Sequence, residues 1–319
     1  MKNLNVFLRL YFSTAVLLFC VSVNAADESK SEYTWLDDFQ DQFTQALNNS
    51  AVWMNSSFSD DQTLDESAKA WARVQVGMEP KSGDWSKYPV KFRLKVQLPS
   101  LEERVDLILS DNEIDDFERL PLESSRPHDN RSNSDDFSAA IRLIHSSDNN
   151  AYFASRLGFG RGSIYARSFY RWRKSFSNHW SLKLQPAIEY WPGEGFGLRQ
   201  LTELNYLINS SNEIRMSHSI WHIESFESPL WKHGLYYLSQ LDHNNALVAG
   251  VLYQGKTRDG YEKDRVTISV RWRQRAIRQW LFFEVEPFVD YDRENDFGSE
   301  IGVALRVEGF FGYHQNETN

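Results

Sequence analysis

The chain of 319 residues carries 44 acidic and 35 basic side chains, a formal charge of −9 and a single cysteine. That acidic balance argues against nucleic acid as a partner, because neutralising phosphates needs a basic face. A mean hydropathy of −0.55 excludes a bundle of membrane helices but not a membrane β-barrel, in which only alternate residues meet lipid.

Lys2 and Arg9, an apolar stretch from Ser13 to Val23 and the small-residue site Val23-Asn24-Ala25 read as a signal peptide over residues 1–25. The apolar stretch falls short of the roughly 20 residues a spanning helix needs. Cys20 lies inside it, and Phe19 is too large to precede a lipid-modified cysteine. Cleavage after Ala25 would leave no thiol, hence no disulfide and no cysteine-bound metal. Ala26 to Glu32 is polar. From Tyr33 to about Asn49, Trp35, Leu36, Phe39, Phe43, Ala46 and Leu47 recur at helical spacing. Asp37, Asp38 and Asp41 load the first turns, where the helix dipole favours carboxylates. The spacing predicts a short amphipathic helix within an N-terminal segment, residues 26–60.

Beyond it, from Ala68 to Phe311, segments alternate apolar with polar side chains, most clearly from Val90 to Leu98 and from Arg265 to Arg273. A strand sends successive side chains to opposite faces, so each segment has an apolar face and an ionic one. The pattern predicts strands at 68–78, 88–98, 103–110, 137–146, 151–160, 163–175, 179–190, 197–208, 212–224, 230–241, 245–256, 264–274, 279–291 and 299–311. That makes fourteen, or twelve if the segments before residue 111 pair differently. Connections after the even-numbered strands are short, as at Ser147–Asn150, Phe176–Asn178, Asn209–Ser211 and Asp242–Asn244. Most others are longer and more charged, as at Asp111–Asp136, Thr257–Lys263 and Asp292–Gly298. Short turns at one rim and long loops at the other are a barrel pattern; Gly160–Gly162 departs from it by being short on the long-loop side.

The fold class is therefore all-β, a transmembrane antiparallel β-barrel over residues 61–319 preceded by one amphipathic helix. The helix closes one rim or enters the lumen as a partial plug; its stripe leaves both readings open. Trp180, Tyr190, Trp191, Trp231 and Trp280 fall near segment ends, where interfacial girdles lie. A large soluble β-sandwich with an aromatic core is the alternative.

In the last segment Ile301, Val303, Leu305, Val307 and Phe311 alternate down to a terminal aromatic, with Arg306 and Glu308 opposite. This resembles the closing strand of Gram-negative outer-membrane β-barrel proteins, whose aromatic is usually the final residue. Here Gly312 to Asn319 follow Phe311, and Tyr313 keeps the same parity. The resemblance covers residues 68–313 as architecture. It implies a cell outer membrane location, with lipid and lipopolysaccharide as surroundings. It also implies the barrel-assembly machinery as a partner and a periplasmic place for the N-terminal segment.

Assigning the more apolar face of each segment to lipid puts a charged set in the lumen. It comprises Lys91, Arg93, Lys95, Arg167, Arg171, Arg173, Arg265, Arg271, Arg273, Glu284, Glu286, Arg306 and Glu308, joined by Arg199, Glu203 and Arg215. Turning an arginine or lysine to lipid costs about 2–4 kcal/mol near the midplane. Two meanings compete. The cations conduct small anionic solutes through a narrow diffusion channel, or the arginine–glutamate pairs crosslink a sealed barrel that acts through its loops or its helix. Arginines outnumber acids, which favours the first.

A third reading is an outer-membrane lipid hydrolase. It rests on His145 with Ser147 and His179 with Ser181, spaced to share one strand face as a base and a nucleophile must. His218, His222 and Glu224 form a further set on the lipid face. Asp290, Asp292, Glu294 and Asp296 alternate as in calcium loops, but Asn295 and Ile301 break that pattern. No cofactor or metal site is expected. The acidic composition of Asp111–Asp136 suggests a mobile outer loop, able to fold over the mouth or to meet a partner.

Overall fold

A computed structural model describes residues 34–57, 69–82, 85, 87–98, 104–110, 120–122, 138–160, 162–257, 261–275 and 277–312. The signal peptide with Cys20, the polar stretch after it, Tyr313 and most of the acidic 111–136 stretch lie outside the described residues. One helix, α1, spans Thr34–Ser57, with Asp37 in its first turn. The strands are β1 Lys69–Met78, β2 Val90–Gln97, β3 Val105–Ser110, β4 Ser138–Ser147, β5 Ala151–Gly160, β6 Ser163–Ser175 and β7 Trp180–Trp191. They continue as β8 Gly195–Asn209, β9 Asn212–Ile223, β10 Leu230–Gln240, β11 Asn245–Thr257, β12 Tyr261–Arg275, β13 Leu281–Asp292 and β14 Ser299–Gly312.

These strands form one closed antiparallel barrel in which each pairs with its sequence neighbours and β14 returns to β1. The closing register runs from Trp71 opposite Gly312 to Met78 opposite Leu305. Closure leaves no strand edge unpaired, which is what allows a sheet to stand in hydrocarbon. Fourteen strands form, so the twelve-strand alternative falls. The short Gly160–Gly162 connection closes tightly, with Gly160 opposite Ser163 and Gly162 at φ +71°, a left-handed conformation that glycine adopts without a Cβ penalty. The near rim is the end where β1 begins and β14 finishes; the far rim is the opposite end.

Alternation sorts the wall. Leu198 is 64 % and Leu157 60 % exposed on the outer face, whereas Arg156 and Arg306 are 5 % and 3 % exposed. Such a protein is apolar outside and ionic inside. This inversion is the arrangement that lipid requires of a transmembrane β-barrel. One expected girdle residue is placed otherwise. Trp191 follows Lys183, Gln185 and Glu189 on the inward face of β7, where it is buried and stacks on Tyr165 at 4.6 Å. Trp231 keeps the outward parity of Leu235 and Tyr237 at the far-rim end of β10, and donates Nε1–H to the Lys256 carbonyl at 3.0 Å. Trp180 and Tyr190 remain exposed.

From Phe43 onward, α1 meets the near rim. The Phe43 ring lies 4.7 Å from that of Phe311, the Gly312 backbone N–H donates to Thr44 Oγ1 at 3.1 Å, and Leu47 packs on Ala70, Val96 and Leu98. Phe311 and Ala70 share strand parity with the exposed Val307 and Val76. This part of the helix therefore lies on the outer wall across β14, β1 and β2, not in the lumen. The small side chains of Ala70 and Ala72 leave the shallow groove it occupies.

The lumen as candidate functional site

Inside the ring is a cavity of about 680 Å³. Its cationic lining is Arg73, Lys91, Arg173, Lys174, Lys183, Arg215, Arg271 and Arg273, against Glu203, Glu284 and Glu308. These residues come from strands all around the ring, so the space they share is the bore. Among the described residues, eight cations thus face three acids.

Lys91, Arg173, Glu203, Arg215, Arg271, Arg273, Glu284 and Glu308, eight of the residues expected in the lumen, line this cavity. The others lie around it. Arg93 is buried opposite Arg73, and Lys95 sits 3.8 Å from Asp106. Arg167 is buried opposite Glu189, and Arg171 lies over the Tyr152 ring at 4.9 Å. Arg265 pairs with Asp292 at 2.6 Å near the far rim.

On the β12–β14 side, charges alternate in sign. Arg273, Glu284 and Arg306 stand opposite one another on three neighbouring strands. Arg306 reaches Glu286 at 2.7 Å, Glu79 at 3.1 Å and Glu284 at 3.5 Å. Arg271 meets Glu286 at 2.9 Å, and Arg273 meets Glu284 at 3.3 Å and Glu308 at 3.2 Å. Glu308 also faces Arg73 at 3.4 Å. Each of these cations has a carboxylate partner, and the network staples the sheet from inside.

The β6–β9 side is built differently. Arg173 stands directly opposite Lys183, and Lys183 opposite Glu203. Lys183 Nζ takes Glu203 at 2.6 Å. That carboxylate also accepts from Ser217 at 3.4 Å and lies 4.0 Å from Arg215. Among the described residues no carboxylate comes within ion-pair distance of Arg173. The next row towards the near rim is neutral over Ser175, Ser181 and Asn205, ending at Arg215. Asn205 donates to Ser181 Oγ at 3.3 Å and accepts from Arg215 Nε at 3.0 Å.

The cavity is covered on one side by part of the acidic stretch that the sequence reading placed as an outer loop. Leu120 and Leu122, buried at 2 % exposure each, pack on Leu201 of β8, Tyr236 of β10 and Leu252 of β11. In sequence they lie between β3 and β4, yet they pack on the opposite half of the ring, at β8, β10 and β11, and Leu120 and Pro121 line the cavity. A Cβ at Gly234 or Gly250 would overlap the Tyr236 ring; their absence lets the ring lie flat against the wall. Leu122 holds φ at +64°, a backbone cost that burial of its side chain offsets. For Leu120–Leu122 the expectation of a mobile outer loop is therefore corrected. The apolar triplet in an acidic stretch was the available signal. Sequence reading also passed over Asp106, Arg142 and Arg156, which stand inward on β3, β4 and β5; Arg142 binds Asp106 at 2.6 Å.

Neither expected histidine–serine pair forms. His145 Nε2 meets Ser155 Oγ at 2.8 Å across the strands, because β4 has a bulge between Ile144 and Ser146. His179 Nδ1 bonds the Leu207 carbonyl at 2.8 Å. Among the described residues no carboxylate hydrogen-bonds His145. His218 stacks on His233 at 4.5 Å rather than acting with His222. In the acidic 290–296 stretch, Asp290 accepts from Thr267 at 2.6 Å and Asp292 from Arg265 at 2.7 Å. Asp292 also caps the short Arg293–Asn295 turn by accepting the Glu294 N–H.

No family model and no curated protein matches the chain. Among solved structures it is similar to the outer membrane channel DcaP of Acinetobacter baumannii, at 7 % identity and TM-score 0.48 over 77 % of this chain and 97 % of that one. It is similar to a loop-deletion mutant of OmpT, an outer membrane protein of Vibrio cholerae, at 6 % identity and TM-score 0.47 over 76 % and 99 %. A KdgM porin in complex with disordered oligogalacturonate matches at 8 % identity and TM-score 0.37 over 76 % and 99 %. At such identities the likeness is one of barrel architecture and extends to no site.

Proposed function

We propose that the barrel is a narrow diffusion channel for small anionic solutes, with its near rim and α1 in the periplasm. The barrel-assembly machinery would insert it through β14. One observation carries the reading: among the described residues the lining of the cavity has eight cationic side chains to three acidic ones, and charge lining a water-filled constriction sets ion selectivity. Leu120-Pro121-Leu122 packed on the inner wall supports a narrow passage rather than an open pore. Reconstitution in planar bilayers under a salt gradient tests it. Discrete current steps with a reversal potential towards the anion are expected. Cation preference, or silence from protein shown to be folded, overturns it.

A sealed accessory barrel is the second reading. It is favoured by the far half of the lumen, where Tyr165, Trp191, Ile223 and Ala140 form a buried cluster. Silence that persists after Leu120 and Leu122 are both truncated to alanine would select it. The hydrolase reading has only the His145–Ser155 bond behind it. Absence of fatty-acid release from mixed micelles containing calcium would end it.

A further inference from the structure

The two sides of the cavity differ in how their cations are partnered, and Arg173 marks a site. Like charges directly opposite on neighbouring strands destabilise a sheet, while opposite charges stabilise it. The β12–β14 side follows that preference; Arg173 opposite Lys183 departs from it, as Arg73 opposite Arg93 and Arg142 opposite Arg156 do, but Arg73 has Glu308 at 3.4 Å and Arg142 has Asp106 at 2.6 Å. Glu203 is committed to Lys183, Ser217 and Arg215, leaving Arg173 beside a cation in the cavity wall. One row nearer the rim, Ser181 and Asn205 offer a hydroxyl and an amide to the same space. Rows of a strand repeat at about 7 Å for side chains on one face, the span of a molecule with a few carbons.

We infer that these two rows form a binding subsite for a small oxyanion bearing hydroxyl groups, with Arg173 and Lys183 receiving the anionic group and Ser181 and Asn205 the hydroxyls. The guanidinium of Arg173 presents a planar fork that suits a carboxylate or phosphate. The inference deepens the channel reading and relies on it only for how the ligand arrives.

The test is calorimetric titration of the full, detergent-folded chain at low ionic strength with gluconate, acetate and inorganic phosphate. Gluconate should bind saturably, and acetate more weakly for want of hydroxyls. Arg173→Gln should weaken gluconate binding about tenfold or more, the scale of a lost charge-assisted pair. Asn205→Ala should reduce the preference for gluconate over acetate while leaving acetate unchanged. Lys81→Gln, which removes the far-rim pair with Glu300, should bind as the unaltered chain does. If phosphate binds more tightly than gluconate and shows the same loss on Arg173→Gln, the oxyanion site stands with phosphate as its occupant. No saturable binding, or equal effects of Arg173→Gln and Lys81→Gln, would overturn it. Conductance without binding removes the subsite and leaves the channel; binding without conductance does the reverse.

Discussion

The β12–β14 and β6–β9 sides of the bore use the same residue types for different ends. On the first, Arg306 is 1 % exposed and shares three carboxylates; on the second, Arg173 faces Lys183 and no carboxylate within reach among the described residues. A buried charge with every partner in place crosslinks strands. A charge held against its own kind keeps its field for a visitor. Counting arginines does not separate these roles; a carboxylate within reach does.

The largest expected effect comes from breaking the stapled side. Arg306→Met takes the shared buried cation from Glu79, Glu284 and Glu286, leaving each with another partner, and should cost up to about 3–5 kcal/mol, the scale for loss of one partner from a buried ion network. Urea unfolding in detergent checks this, and a loss below about 1 kcal/mol would erase the distinction between the two sides. Next is the cover over the cavity. Truncating Leu120 and Leu122 to alanine removes contacts worth about 2–5 kcal/mol per buried leucine, which should undock the segment and raise unitary conductance in planar bilayers.

A smaller change reverses the rule on the open side. Arg173→Glu creates an opposite-charge pair with Lys183 and should stabilise the barrel by about 0.2–1 kcal/mol while reducing anion preference. Stability and reversal potential moving in the same direction would contradict the assignment. The smallest effect lies outside the bore, in the turn between β10 and β11. There the Asn244 N–H, and then the Asn245 side chain, donate to Asp242 and hold its carboxyl below the usual aspartate value. The turn's contribution is complete above the ordinary aspartate pKa and is lost as pH falls through the lowered one. Melting of Asp242→Ala should therefore differ from that of the unaltered chain at neutral pH and converge with it in acid.

The wall was legible in the sequence because period two is a local signal: Arg271, Glu284 and Arg306 each sit between apolar neighbours that announce the strand. What depends on contact across the ring was not legible. Leu120 finds Tyr236 half a circumference away, and no spacing rule links them. Trp191 turned inward because parity outranks the general habit of tryptophan at membrane interfaces. The His145–Ser147 pair failed at a bulge, which moves His145 to Ser155, and the His179–Ser181 pair failed because His179 precedes β7 and bonds the Leu207 carbonyl. Arg173 was legible as a lumen residue, but its isolation from carboxylates required the register.

The docking of Phe43 and Leu47 has a kinetic consequence. Phe43 touches Phe311 on the last strand, while Leu47 touches the first two, so their binding surface does not exist until the chain's ends have met. Closure joins residues of very high sequence separation, the kind of contact that folds slowly. A contact made only after the slow step leaves the rate of closure alone and retards its reversal. The helix is thus a clasp: it does nothing to bring the ends together and acts to keep them from parting.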